Sequence, residues 1–434
     1  MIEKTDLGNF YKLLQRKKIS EKNMDRKFFG WNSSEIINFI EEAYELLLMQ
    51  PIVAKSLFSF APNSSLSGAP FPCSSIECRL TKLDSLARFS ALYANQVVIT
   101  NPFEKYIFSH QLAEALEQEP SARFIRVSLM GDVLGLLYVR PLFEAGILSI
   151  RNGVTSLCAE HLAEAEALEA KIRGKLEKAE KQLQKRYRRE TKVEITSRDD
   201  EVFLTVSGPD YLIEHRKMDL VGKLPPFLLD NYEIGQNREL TRKELKEFDV
   251  FSRLTRPIVR DIFDQNVEVH LSKSHYLTHR EIDFDIITTM GNENVTRTSE
   301  TLIGGLAHSI PTITNIPINK LVKLRQKEGE AFEVYRDTIS RVLKQAKTLA
   351  KEEIVELVDD EVRPEIHKIE RTIKNSRRLV ARSLSKDILV SAGYITVGIF
   401  SGFLSADAGA LITALGGYKF ATSVIEQVTS LKTP

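Results

Sequence analysis

Apolar positions recur along this chain at several distinct spacings. Ile36, Ile37, Phe39, Ile40, Ala43, Leu46 and Leu47 step by three and four, which marks one face of a helix running to Met49. Asn32-Ser33-Ser34-Glu35 stands before them, and Ser34 can cap the helix start. Further helical patterns cover Leu83–Tyr93, Ile107–Glu117 and Ser121–Val139. Among them, Gln96-Val97-Val98-Ile99-Thr100 is a short β-branched run stopped by Asn101-Pro102. Gly146-Ile147-Leu148-Ser149-Ile150 is a second run, ended by Asn152-Gly153. Continuous apolar runs of this length suit strands buried on both faces of a parallel sheet, and strand, helices, strand is the form of a crossover unit. Residues 1–25 are polar and Lys-rich and predict a segment lying loosely on the surface. The Ser- and Pro-rich stretch 56–75 predicts a loop.

Beyond Ser156 the pattern lengthens. Leu162, Ala165, Leu168, Ile172, Leu176, Ala179, Leu183 and Tyr187 form a coiled-coil-like seam on a helix reaching Thr191. Val193–Thr196 and Val202–Val206, separated by Arg198-Asp199-Asp200, predict a hairpin. Helices are predicted at Thr241–Asp264 and Thr278–Met290. From Pro317, which suits a first helical turn, a second seam runs through Leu321, Leu324, Glu328, Phe332, Tyr335, Ile339, Val342, Ala346 and Leu349. Another helix starts at Pro364. The fold class is thus α-rich α/β (α+β). An N-terminal α/β unit (1–155) is followed by a long helix with a mixed middle region (156–310). A C-terminal long-helix module (311–434) closes the chain with an apolar helical hairpin at 388–428. Two long apolar seams need cover, which predicts a homodimer.

Composition narrows the function classes. Of 434 residues, 43% are hydrophobic and 27% charged, which excludes wholesale disorder. Lys+Arg number 60 against 59 Asp+Glu, so only regional charge can point to a partner. Three Cys exclude a disulfide scaffold, and with no leader-like apolar run at the start the expected location is cytoplasmic. Between Lys171 and Lys192, ten basic residues face three acidic ones, but almost no aromatics interleave. That reads as a solvated helix face, and nucleic acid is not an expected partner.

No phosphate-binding loop, dinucleotide fingerprint, serine-nucleophile elbow or His-Glu-x-x-His helix occurs. Cys73-x4-Cys78 and Cys158-x2-His161 offer soft ligands of the kind zinc takes, although no metal or other cofactor is assigned to them. His275, His279, Glu281, Asp283 and Asp285 crowd one segment. Paired carboxylates and imidazoles there could hold a divalent metal for hydrolysis, or the acids could simply favour a helix N-terminus capped by Thr278. The richest signal is C-terminal. Ile388–Ala406 carries no formal charge over nineteen residues. Just upstream, from 368 to 386, seven basic residues face one acidic residue. A polybasic helix leading into an apolar hairpin suits attraction to anionic lipid followed by burial. The residues that would do this are Lys374, Arg377, Arg378, Arg382 and Lys386, then Ile399, Phe400, Phe403 and Leu404.

Two blocks resemble uncharacterised bacterial proteins. One is Leu92-Tyr93-Ala94-Asn95-Gln96-Val97-Val98-Ile99-Thr100-Asn101-Pro102 with Arg140-Pro141-Leu142-Phe143-Glu144-Ala145-Gly146-Ile147-Leu148. Where this chain has Asn95, those proteins often carry Asp. The other is Pro317–Leu343, with Leu324-Arg325, Glu328, Phe332 and Tyr335-Arg336-Asp337. The resemblance implies a bacterial source and a role in antiviral defence or stress, with no activity assigned. The expected function is therefore non-enzymatic. The protein senses or recruits a partner and engages an anionic membrane or a hydrophobic protein partner through its C-terminal module, at the periphery of the inner membrane. The alternative is a metal-dependent, nuclease-like hydrolase using the acidic and His cluster of the middle region.

Overall fold

A computed structural model describes residues 7–48, 58–153, 159–198, 201–220, 224–286, 309–345, 356–383 and 391–401, less positions 72, 108, 110, 120, 231, 273, 281, 284, 285 and 397. Its helices are α1 (Leu7–Arg16), α2 (Met24–Gly30), α3 (Ser33–Leu48), α4 (Ile76–Tyr93), α5 (Glu104–Ile107), α6 (Leu112–Glu117), α7 (Ser121–Glu144), α8 (Ala159–Glu190), α9 (Pro226–Leu229), α10 (Arg242–Glu247), α11 (Val250–Ser272), α12 (Ile318–Lys327), α13 (Gly329–Gln345) and α14 (Arg363–Ser383). Its strands are β1 (Ser59–Pro62), β2 (Gln96–Thr100), β3 (Leu148–Arg151), β4 (Lys192–Arg198), β5 (Glu201–Ser207), β6 (Lys217–Leu220), β7 (Arg238–Glu239), β8 (His275–Thr278), β9 (Ser309–Thr314), β10 (Ser391–Thr396) and β11 (Gly398–Ser401).

The principal sheet has the order β11-β8-β1-β2-β3. β8, β1, β2 and β3 are parallel, and β11 adds an antiparallel edge. Val97, Val98, Ile99, Ile147 and Ile150 are all buried, and β2 pairs β3 in parallel, as the two apolar runs predict. The sheet's central strand, however, is β1, which lies inside the stretch expected to be a loop. Next to it is β8, at the start of an expected helix. Each has four residues, too few to display a period, and each ends in residues of polar or turn character. The strands come from all three sequence segments: β1 to β3 from 1–155, β8 from 156–310 and β11 from 311–434.

From Leu7 on, the N-terminal segment is also more structured than its composition predicts. Phe10, Leu13 and Leu14 on α1 are buried, and α1 packs on α3. Tyr11 Oη donates to the Leu136 carbonyl at 3.0 Å, fastening α1 to α7. The cap of α3 is Asn32 rather than Ser34. Asn32 Oδ1 accepts from the Glu35 N–H while Glu35 Oε2 accepts from the Asn32 N–H, both at 2.9 Å. Phe28, Trp31 and Phe39 then pack together with centroids 5.3–5.6 Å apart, Phe28 and Trp31 edge-on and Phe39 tilted against both.

The first resembling block is a folding unit. α7 ends in a Schellman motif: Ile147 N–H bonds Leu142 O and Gly146 N–H bonds Phe143 O, both at 2.9 Å. Gly146 takes φ +70, which a side chain would oppose. The chain then enters β3, and the Val97 N–H donates to Ile147 O at 2.7 Å, so the two halves of the block meet as β2 and β3. The second block docks on the same corner. Phe332 and Tyr335 of α13 pack edge-on against Tyr93, at 5.6 and 5.5 Å. Arg336 Nη1 donates to Asn95 Oδ1 at 2.5 Å, and Arg325 donates to the Ala94 carbonyl at the same place.

Apart from the exposed Leu162, the described positions of the two apolar seams are covered within the chain. α8 lies on α11 and buries Ala165, Ile172, Ala179, Leu183 and Tyr187. The seam from Leu321 is broken into α12 and α13 at Glu328–Gly329. Its Leu321, Leu324, Phe332 and Tyr335 are buried, with α12 packing on α4 and α7 and α13 on α4 and α14. A homodimer therefore does not follow from exposed stripes in these residues. The expected hairpin of β4 and β5 is present and extends to a four-stranded antiparallel sheet, β6-β5-β4-β7. The apolar C-terminal segment is not helical where it is described. Ser391–Thr396 and Gly398–Ser401 are strands, β10 pairing β9 and β11 pairing β8. Backbone pairing with an existing sheet satisfies their N–H and C=O groups, and Gly393 and Gly398 lower the helix propensity there. The rest of 388–428 lies outside the described residues.

Two substitutions test this architecture. Val98→Asn places an unpaired amide in the sheet and is expected to cost about 3 kcal/mol in denaturant unfolding; an unchanged midpoint would show that β2 is not a core strand. Asn95→Asp puts a carboxylate between Arg325 and Arg336 and is expected to raise stability by roughly 0.5–1 kcal/mol at low salt, with the gain shrinking in high salt. A loss of stability on thermal melting would contradict that pairing.

Candidate functional site

In a parallel sheet, ligands bind at the carboxyl ends of strands where the chain order reverses direction. Here the order runs β1, β2, β3 one way and then returns to place β8 on the far side of β1. The reversal lies between β1 and β8, so Asn63-Ser64 and Thr278–Asp283 flank the position where a ligand would sit.

That position is filled by the protein's own polar groups. Asp283, fully buried, accepts at Oδ2 from Thr278 Oγ1 (2.5 Å), Tyr276 Oη (2.8 Å) and Asn63 Nδ2 (3.2 Å). Arg280 bridges it to α11, with Nε 2.9 Å from Asp283 Oδ1 and Nη2 2.8 Å from Asp261 Oδ2. Asp261 also accepts from the Ser64 N–H at 3.1 Å and from the Ser64 hydroxyl. Farther along α11, Glu268 pairs with Arg151 at the end of β3, 2.7 Å apart and both buried. Asp261, Asp264, Gln265 and Glu268 step by three, one and three, so a single polar face of α11 spans the ends of β1, β3 and β8.

Burial sets the electrostatics. It raises the Asp261 carboxyl, opposed mainly by Arg280. Burial works against the charge on Arg280, but Asp283 and Asp261 outweigh it and hold the guanidinium firmly protonated. His279, half-buried, is pushed down to about 3, first by burial and then by Arg280 and Lys82, so it is neutral at physiological pH. Asp264 is pushed up to about 6 by burial, although Arg260 lies 2.9 Å away and opposes the shift.

The cluster expected around His275–Asp285 is thus divided. Asp283 is committed to Arg280, Tyr276, Thr278 and Asn63; His275 and His279 lie on or just after β8; Glu281 and Asp285 fall outside the described residues. Arg280 and Asp261 were not singled out by sequence reasoning, because Asp261 lies among charged residues of an ordinary helical pattern.

A second cluster lies beside the amino end of α4. Cys73, Cys78 and His215 bring their ligand atoms within 4.8 Å of one another, and Cys78 Sγ is 3.3 Å from His215 Nε2. Both thiols are free and half-buried. Burial pushes the Cys78 thiol up to about 12, with Lys82 opposing and Cys73 and Glu214 adding to the rise. Cys73 and Cys78 come together, as their spacing allows, but the nearby imidazole comes from the β5–β6 turn. His161 is exposed near the start of α8 and takes no part, while Cys158 is outside the described residues. No spacing in the sequence marks His215, since 137 residues separate it from Cys78.

The basic run on α8 lies at the surface. Arg186 stacks on Tyr211 at 4.6 Å and Arg188 on Phe251 at 5.6 Å, so its aromatic neighbours come from other elements. Lys185, Arg186 and Arg189 line a groove of about 260 Å³ with Leu183 and Ile286. Among the proposed lipid contacts, Lys374 is exposed on α14. Arg377, Arg378 and Arg382 belong to the same helix, and Ile399 and Phe400 sit in β11 opposite Leu277 and Tyr276, as strand residues rather than part of a helical hairpin. Lys386, Phe403 and Leu404 are outside the described residues. No helix among the described residues is long and apolar enough to cross a membrane.

Comparison with known protein families, curated proteins and solved structures finds no match for this chain.

The network carries a pH signature. In the unfolded chain an Asp titrates near 3.9. Because the folded value for Asp264 is raised to about 6, its contribution favours folding below pH 4 and is lost as the pH rises through 6. Asp264→Asn is expected to gain stability over the parent at pH 7.5 but not at pH 4.5, by about 1 kcal/mol once partial exposure is allowed for. Equal effects at both pH values in urea unfolding would contradict the burial of this carboxyl.

Proposed function

We propose that this protein is a binding protein of bacterial defence or stress response, one that docks on an anionic membrane surface through α14 rather than acting as a catalyst. The observation that carries this reading is the two-sided character of α14. Ile369 and Ile373 are buried against the core with Val362 just before them, whereas Arg363, Lys368, Arg371 and Lys374 are exposed. Its apolar face is already used, so lipid engagement by the described part of the helix is electrostatic and peripheral. Lys368 is partly neutralised by Glu365 at 2.6 Å, leaving Arg371 and Lys374 as the principal described cations. Along the sequence α14 is followed by β10 and then β11, which is the edge strand of the principal sheet.

Two further points support the reading. The charged groups at the sheet's carboxyl edge are engaged with one another, which favours a structural use of the residues that a hydrolase would need. The resemblance of the Leu92–Pro102 and Arg140–Leu148 blocks to bacterial proteins associated with immunity supports the biological setting.

Full-length protein is expected to sediment with vesicles rich in phosphatidylglycerol and not with phosphatidylcholine alone. The combined Arg371→Gln and Lys374→Gln variant is expected to weaken binding about thirty-fold at low salt, at about 1 kcal/mol per charge. Raising salt from 0.05 to 0.5 M is expected to release the parent protein. Equal capture by neutral vesicles points instead to an apolar contact, and absence of capture at low salt removes the membrane reading.

A further inference from the structure

The cluster of Cys73, Cys78 and His215 is used by nothing described so far. Three separate parts of the fold contribute to it. Cys73 lies in the chain between β1 and α4, Cys78 stands in the first turn of α4, and His215 lies in the turn Glu214–Arg216 that joins β5 to β6. His215 and Arg216 both have left-handed backbones, φ +59 and +61, and the turn is fastened to α4 by Lys82 and Glu214, 2.6 Å apart. That ion pair holds the turn, and with it the imidazole, over the two thiols.

The geometry points to a binding site for a borderline-soft divalent cation, zinc above all, formed by Cys73, Cys78 and His215 and joining α4 to the antiparallel sheet. Zinc takes thiolate sulfur at about 2.3 Å and imidazole nitrogen at about 2.0 Å, so tetrahedral ligands lie roughly 3.5–3.8 Å from each other. The 3.3 Å between Cys78 Sγ and His215 Nε2, and the 4.8 Å limit on all three ligand atoms, need only small side-chain adjustment to reach that shape. Carboxylate-seeking cations such as magnesium and calcium would not choose two sulfurs and a nitrogen.

Two other uses of these side chains fit less well. A cysteine nucleophile beside a histidine needs only one thiol and an environment that favours the thiolate, whereas here a second thiol crowds the same imidazole. A Cys73–Cys78 disulfide would leave His215 without a role. Three protein ligands leave one tetrahedral position for water or an external anion, which is the pattern of a zinc site that can exchange a ligand. Because two ligands come from the segment that enters α4 and the third from the β5–β6 turn, the metal ties α4 to the antiparallel sheet, and its loss loosens that junction.

The test uses the full chain, purified under reducing conditions and stripped with chelator. Cobalt(II) is added first because its bound form is coloured. One equivalent is expected to give tetrahedral d–d bands and a charge-transfer band with the intensity of two thiolates, and zinc is expected to displace it. Cys73→Ser and Cys78→Ser are each expected to reduce the charge-transfer intensity by half or more. His215→Ala is expected to weaken binding at least tenfold, while Cys158→Ser leaves stoichiometry and spectrum unchanged. If Cys78→Ser does not fold, the two-thiolate intensity of the parent protein and the His215→Ala affinity still decide the matter. The proposal is overturned if no stoichiometric cobalt or zinc binds, if binding survives His215→Ala unchanged, if it depends on Cys158, or if mass spectrometry of the reduced, metal-free protein shows a Cys73–Cys78 disulfide re-forming in preference to metal uptake.

Discussion

Charge buried at the carboxyl edge of the principal sheet has to be matched, and much of the structure is arranged around that need. An isolated ion in a protein interior costs several kcal/mol, so Asp261, Glu268, Asp283, Arg151 and Arg280 persist there only as partners of one another. The pairing explains why α11 crosses the strand ends with a polar face. It also explains why strands as short as β1 and β8 can be central: Asn63 donates to Thr278 Oγ1 at 2.8 Å and its own N–H to Leu277 O, so the ends of the two strands are tied by side chain and backbone together. The contribution is one of specificity more than of stability, since an apolar replacement of the whole set could pack as well.

α4 distributes a second group of buried charges among its neighbours. Arg79 reaches the Gly68 and Ser128 carbonyls and the Asp132 carboxylate, lying so close to α7 that a Cβ at Gly131 would be 2.2 Å from Nη1. Lys82 holds Glu214, and Arg88 donates to the carbonyls of Ile313 and Ile316. One helix therefore joins α7, the β5–β6 turn and the segment leading to α12. A low amphipathic contrast is the expected consequence, because nearly every side of α4 is covered and its polar residues are bonded rather than solvated.

This division of labour separates scaffold from candidate function. The Leu92–Pro102, Arg140–Leu148 and Pro317–Leu343 blocks form β2, β3, the end of α7 and the α12–α13 corner, all of them packing and capping features. The candidate docking face and the Cys/His cluster lie elsewhere, on α14 and where the start of α4 meets the β5–β6 turn. Such blocks carry architecture, and chemistry has to be sought where side chains are not already consumed by it.

What could be read from sequence were the features that repeat locally. The apolar runs at Val97–Ile99 and Ile147–Ile150 state their burial, the three-and-four steps state α3, α7 and α8, and Arg198-Asp199-Asp200 between two β-rich runs states the hairpin. Their information lies within a few residues, because helix and strand periods are local properties. What only tertiary structure decided were the short central strands, the covering of the described seam positions, the strand state of Ser391–Thr396 and Gly398–Ser401, and the meeting of Cys78 with His215. Four residues of β1, including Ser59 and Pro62, display no period, and their burial depends on β8, more than two hundred positions away. A seam on one helix does not say whether its cover is α11 of the same chain or another molecule. The uncharged stretch before Asp407 is compatible with helix or sheet until β8 and β9 offer their free edges. Hydrogen bonds, ion pairs and ligand clusters between distant segments leave no spacing in the sequence, which is why the scaffold was legible in part and the candidate sites hardly at all.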